Sequence, residues 1–243
     1  MKSDLSNDIE GACLAITQRL VRLGDDNMPV GIASGFLFEV GENRYLVSAA
    51  HSFKKSRWVL ETDFVLREDG VTVSIPINGI WQIKQLDFAS GKESKLDIAW
   101  ARIDLEKFQN SINQDARLRG VSTEFIVYRG PTDGPLRLDG EYSYASWNRV
   151  TLVGDQYLER DTSTEPTMVF KGIGADGLCI FQPPKHQGDE YYEGASGSPI
   201  INETDQIFAI LVSGSQDTGE LFGYPLLGLK RLIETSEGSE LVD

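Results

Sequence analysis

Val30-Gly31-Ile32-Ala33-Ser34-Gly35-Phe36-Leu37-Phe38-Glu39-Val40 is followed by Gly41-Glu42-Asn43 and then by Tyr45-Leu46-Val47-Ser48-Ala49-Ala50. Two runs rich in β-branched and aromatic residues, joined by a glycine-containing turn, predict a β-hairpin. The same pattern recurs on both sides. Downstream, strand-like runs cover Trp58–Leu60, Val71–Ile77, Ile80–Leu86 and Leu96–Ile103. After a short helical stretch at Leu105–Ile112 come Phe125–Arg129, Tyr142–Val153, Thr167–Lys171, Leu178–Phe181, Pro199–Asn202 and Ile207–Gly214. Upstream, residues 8–23 place Ile9, Ala12, Cys13, Ile16, Leu20 and Leu23 at helical spacing. Asn7 with Glu10 suits a capping box there, and Gly24 suits a stop. Leu226–Ile233 predicts a second amphipathic helix. Many short strands, frequent turns and helices at the ends imply an all-β barrel or sandwich.

Composition narrows the function. The chain has 243 residues, enough for one large or two small domains. Its 37 Asp+Glu outweigh 23 Lys+Arg, for a net charge of −14. Nucleic acids and anionic membranes demand a basic face, so neither is an expected partner. Neutral or basic polypeptides remain. The two cysteines, Cys13 and Cys179, lie in apolar contexts and read as small buried hydrophobes, not as a disulfide framework. The N-terminus is polar and acidic with no apolar leader segment, and no run approaches a membrane span. Together these predict a cytoplasmic protein.

Chemistry centres on Glu193-Gly194-Ala195-Ser196-Gly197-Ser198-Pro199-Ile200. A serine between glycines is either a plain turn or a nucleophile whose loop can turn backbone N–H groups toward a substrate. A nucleophile needs a base, and the chain holds only two histidines. His186 sits in the Pro183-Pro184-Lys185-His186 loop and reads as a surface residue. His51 follows the Tyr45–Ala50 strand, where it either caps the strand or acts as base. Asp97 interrupts the apolar run Leu96-Asp97-Ile98-Ala99. A carboxylate there is either bonded to backbone N–H groups or orients a histidine.

His51, Asp97 and Ser196 in that chain order resemble the trypsin/chymotrypsin-like serine peptidases, and more closely their cysteine-poor bacterial members. The resemblance rests on Ser34-Gly35, on Leu46–His51, on Leu96–Ala99, on Gly194–Pro199 and on Ile210-Leu211-Val212-Ser213-Gly214. It covers residues 28–235 and implies two antiparallel six-stranded β-barrels, about 28–120 and 121–225. A C-terminal helix would follow at 226–235 and a charged tail at 236–243, with residues 1–27 as a leading helical segment. It implies Ser196 as nucleophile, His51 as general base and acid, and Asp97 as the group that holds the imidazole. The N–H groups of Gly194 and Ser196 would form an oxyanion hole, and Ser213 and Gly214 would pair with substrate backbone. Glu190, six residues before the nucleophile, would sit at the base of the primary pocket and favour Lys or Arg; it also reads as part of a solvated acidic loop. No metal or cofactor is implied.

Two departures qualify the resemblance. In secreted members an aspartate stands where this chain has Ala195, and it pairs with a freshly cut N-terminus. Ala195 cannot, so the expected site is either constitutive or switched by a regulatory protein partner. The short chain after the second barrel leaves no room for an appended peptide-binding domain. The expected function is a cytoplasmic serine endopeptidase. The alternatives are a catalytically silent barrel serving as a binding or scaffold module, and an esterase using the same three residues.

Overall fold

The computed structural model describes residues 11–53, 57–66, 72–87, 92–114, 118–119, 125–132, 137–138, 140–153 and 157–238. Residues 11–16 form a helix (α1), and the chain then enters β1 (Thr17–Leu23). The hairpin follows as β2 (Pro29–Val40) and β3 (Asn43–Ser48), paired from Phe36↔Val47 to Val40↔Asn43. Next come β4 (Arg57–Leu66), β5 (Thr72–Pro76), β6 (Trp81–Asp87), β7 (Lys92–Arg102) and the helix α2 (Leu105–Gln114). Two short strands, β8 (Leu118–Arg119) and β9 (Val127–Tyr128), pair with β4 and β2. These strands form one nine-stranded sheet with the path β5-β4-β1-β2-β3-β7-β6.

The second half is a closed barrel. β10 (Glu141–Val153), β11 (Tyr157–Ile173), β12 (Cys179–Gln182), β15 (Glu220–Pro225), β14 (Ile207–Ser215) and β13 (Pro199–Asn202) follow one another round the ring, and β13 returns to β10 through Tyr142↔Asn202. The helix α3 (Leu226–Gly238) closes the described chain.

Period-2 alternation sorts the apolar residues into three clusters. On β2, Ala33 and Leu37 point into the first sheet while Phe36 and Phe38 point to the opposite face. Leu46 on β3 and Ala101 on β7 join the inner set; Val47, Ile98 and Trp100 join the outer one. That outer cluster is shared between the halves, for Ile201, Ile210 and Val212 of the barrel and Leu226, Leu229 and Ile233 of α3 complete it. The barrel interior is filled separately by Tyr142, Tyr144, Met168, Phe170 and Phe181.

Three expectations change. The helix drawn over 8–23 survives only as 11–16 among the described residues; Asn7, Ile9 and Glu10 lie outside them. Thr17–Leu23 is a strand because it is held on both sides: Leu20 pairs with Ala33 and with Leu60, Val21 with Ile32 and with Val59. Two ladders outweigh a helical spacing of three leucine and isoleucine residues. The strand foreseen at Thr167–Lys171 is the end of the much longer β11, and β15 was not foreseen; Val71 lies outside the described residues.

The third change concerns the first half. Among the described residues its ladder does not close, so one six-stranded barrel stands beside an open sheet, where two barrels were expected. The sheet nonetheless curls strongly. Its edge strands, β5 and β6, are consecutive in the chain, joined only by residues 77–80. That link spans at most about 18 Å. Six strand spacings in a flat sheet would set the edges about 29 Å apart. Among the described residues the first half is therefore a curled sheet with a slit between β5 and β6.

Candidate active site

The register of β3 and β7 brings His51 to Asp97. Ser48 pairs with Ala99, and continuing that antiparallel register sets position 50 opposite Asp97. A 3-10 turn at Ala50–Phe53 then folds His51 back over the β7 residue. Asp97 grips it twice: the His51 backbone N–H donates to Asp97 Oδ1 at 2.8 Å, and Nδ1 lies 2.6 Å from Oδ2. With the proton on Nδ1, Nε2 carries its lone pair outward, the tautomer a general base needs. Both side chains are 40% exposed, so Asp97 is not the buried carboxylate its apolar run suggested.

Ser196 comes from the barrel. It lies between a 3-10 turn at Asp189–Tyr192 and β13. Ala195 N–H donates to Tyr192 O at 3.0 Å, Ser198 N–H to Ala195 O at 3.0 Å, and Gly197 N–H to Leu211 O at 2.7 Å. Among the described residues, the N–H groups of Gly194 and Ser196 make no such backbone bond. Two glycines are required here. Gly194 has φ +84°, and a Cβ on it would lie 2.7 Å from Trp147 O. Gly197 has φ +96°, and a Cβ there would collide with Ser34 O and Ser48 Oγ of the β2–β3 hairpin. The absence of a side chain at 197 is what lets the serine loop seat against the first sheet.

Ser196 and His51 line one cleft of about 570 Å³ between the halves, together with Gly194, Glu193, Arg22 and Trp58. Among the described residues no hydrogen bond joins Ser196 to His51. Ser196 and His51 thus share a cleft with Gly194, and Asp97 holds the histidine; a hydroxyl, an imidazole, a carboxylate and backbone N–H groups are the groups that acyl transfer uses.

Two solved structures with a similar arrangement of strands are serine proteases. A crystal structure of the serine endoprotease from Yersinia pestis matches with a TM-score of 0.54 at 12% identity, over 95% of this chain and 65% of that one. A structure of GrC, granzyme C, matches with a TM-score of 0.57 at 12% identity, over 93% of this chain and 96% of that one. This chain has a trypsin-like serine-peptidase fold. It spans about two thirds of the Yersinia protein's length. No family model and no curated protein matches its sequence.

Within the trypsin-like fold the remaining expected residues are dispersed. Ser213 and Gly214 are exposed on β14, paired with Phe222 and Leu221 of β15. Glu190 is exposed in the 3-10 turn and does not line the cleft. Ala195 is buried among apolar residues of the barrel. Sequence reasoning did not find Arg22, Trp58 or Glu193 as cleft residues, nor the tie made outside the cleft lining by Trp147, whose backbone N–H donates to Ser34 Oγ (3.2 Å) and whose Nε1–H donates to Thr17 O (3.1 Å). Those bonds tie β10 to β2 and β1. Trp147 is one of four tryptophans and stood in a run that read only as a strand. The two cysteines are buried and form no disulfide with each other, as expected. Among the described residues no helix is long and apolar enough to cross a membrane.

Proposed function

We propose that the chain is a serine endopeptidase. The observation that carries this reading is the double grip of Asp97 on His51 in the cleft that Ser196 also lines. In the proposed cycle Ser196 Oγ attacks the scissile carbonyl while His51 Nε2 takes its proton. The carbonyl electron pair moves onto oxygen, where the N–H groups of Gly194 and Ser196 receive it. Collapse expels the amine, which takes the proton from His51, and leaves an acyl-enzyme. Water, deprotonated by His51, then frees the acid and restores the serine. Ser213 and Gly214, exposed on a strand, offer backbone groups to an extended substrate. Glu190 as a reader of basic side chains rests on its place in the sequence; Glu190→Gln would then weaken cleavage after Lys or Arg selectively.

A second reading, a silent barrel used for binding, draws on the missing Ser196–His51 hydrogen bond. Such bonds are often long before substrate arrives and tighten in the complex. A fluorophosphonate probe separates the two readings. Covalent labelling that disappears in Ser196→Ala supports the enzyme, and peptide-library cleavage then separates endopeptidase from esterase. A protein that never labels, alone or with cell extract added, is the binding module.

A further inference from the structure

The turn that leads into Ser196 is fixed from inside the barrel by a set of side chains that the proposed reaction does not itself use. Tyr191 places its hydroxyl on β11, donating to Thr164 O (2.8 Å) and accepting from Thr164 N–H (3.0 Å). Tyr192 donates its hydroxyl to Glu165 Oε1 (2.8 Å) and accepts from Gln187 N–H (3.3 Å). Asn148 Nδ2 donates to Tyr191 O (2.6 Å), and Asn148 Oδ1 accepts from the hydroxyls of Ser146 (2.8 Å) and Ser163 (3.1 Å). Glu165, Asn148, Ser146 and Ser163 are all buried.

These bonds end where the site begins. Tyr192 O accepts the N–H of Ala195, which sets the turn in which, among the described residues, the Gly194 and Ser196 N–H groups have no backbone partner. Burial pushes the Glu165 carboxyl above its ordinary range and the Tyr192 phenol well up, so the cluster is held against a desolvation penalty. An apolar set of the same shape would serve stability as well or better. A buried polar cluster kept in spite of that penalty, bonded to one loop, is what a positioning device requires.

We propose that Glu165 and Tyr192, assisted by Tyr191 and Asn148, are positioning residues that hold residues 193–196 in their donor geometry. They stand in for the ion pair that Ala195 cannot make. The site is then formed in the isolated chain and needs neither a cut N-terminus nor a partner. This inference rests on the serine-peptidase reading.

The test uses the whole chain and the double variant Glu165→Leu/Tyr192→Phe, which removes both buried partners together and leaves only the exposed Gln187 N–H to water. Three quantities are read: the rate at which a fluorophosphonate labels Ser196, amide hydrogen exchange across residues 189–198, and the melting temperature. Wild-type protein alone labels rapidly. The double variant keeps its melting temperature within a few degrees, labels at least about tenfold more slowly, as expected when an oxyanion donor is misplaced, and exchanges faster across 189–198. Glu165→Gln, which keeps an acceptor oxygen for Tyr192, recovers most of the rate lost in Glu165→Leu. Wild-type labelling and exchange in the double variant would overturn the brace. Labelling of wild type only after a partner is added would overturn the claim that the site is preformed. Wild type that never labels, yet loses 189–198 protection in the double variant, would instead sink the peptidase reading and leave the brace standing.

Discussion

Replacing Gly197 with alanine tests how the two halves meet. The substitution has two costs. At φ +96° an L-residue is strained by about 1–3 kcal/mol. The new Cβ would also lie deep inside the contact distance of Ser34 O and Ser48 Oγ, and 3.1 Å from Ala49 N. Ser34 O is backbone in a paired strand and already accepts Ser48 Oγ–H at 2.7 Å, so it cannot swing aside. The serine loop must back away, stretching the Gly197 N–H to Leu211 O bond at about 1 kcal/mol. Overpacking adds about 1–3 kcal/mol. The total is about 3–7 kcal/mol. In a domain this size each kcal/mol shifts the midpoint by about 2–4 °C, so a fall of at least about 6 °C is expected by circular dichroism. Gly41→Ala is the control: φ is +61° but nothing lies within 4 Å of the added carbon. It should cost about 1–2 kcal/mol from backbone strain alone. If Gly197→Ala melts no lower than Gly41→Ala, the close seating of the serine loop on the β2–β3 hairpin is wrong.

Four further outcomes follow from single residues. Asp97→Asn should lower kcat by about 10⁴ while leaving the melting temperature nearly unchanged, because an amide donor facing Nδ1 forces the wrong tautomer on His51; full activity would refute the assignment of the acid. Ser198 is fully buried and its hydroxyl has no partner among the described residues, so Ser198→Ala should stabilise by about 1 kcal/mol in a denaturant titration. Glu165 has a raised folded pKa, so its ionisation subtracts stability as pH rises from its unfolded value near 4.3 through the folded one. Glu165→Gln should therefore gain on wild type as pH rises above the unfolded value and run parallel to it once Glu165 is ionised in the folded protein; a gain that appears only below the unfolded value would reverse the sign. Burial pushes the Cys179 thiol up to about 12, and native protein at pH 8 should leave it unalkylated by iodoacetamide until denaturant is added.

What could be read from the chain followed from locality. The β2–β3 hairpin, Pro29 to Ser48, carries its turn and its alternation within one short stretch, and both survive in the structure. His51 and Asp97 were legible because each ends or interrupts an apolar run, and the β3–β7 register then does the rest. β1 was illegible because the spacing of Ile16, Leu20 and Leu23 fits a helix, while the ladders that make it a strand come from residues distant in sequence. β11 was missed over most of its length because it is polar: Ser163 and Glu165 face inward, which no hydrophobic pattern announces. The role of Glu165 appears only with Tyr192, 27 positions away. The slit in the first sheet was equally hidden, since closure of a ladder is a property of the whole path.

That slit has a consequence for motion. Among the described residues, amides on the outer margins of β5 and β6 have no neighbouring strand to protect them, whereas those of β2 are locked between β1 and β3. Hydrogen exchange should run fast along the slit and slow in the middle of the sheet. Opening there would widen the sheet without parting β3 from β7, so the hold of Asp97 on His51 would persist while the wall around it breathes. The first half of the protein would then behave as a hinged shell fixed to a rigid ring, with Ser196 on the ring.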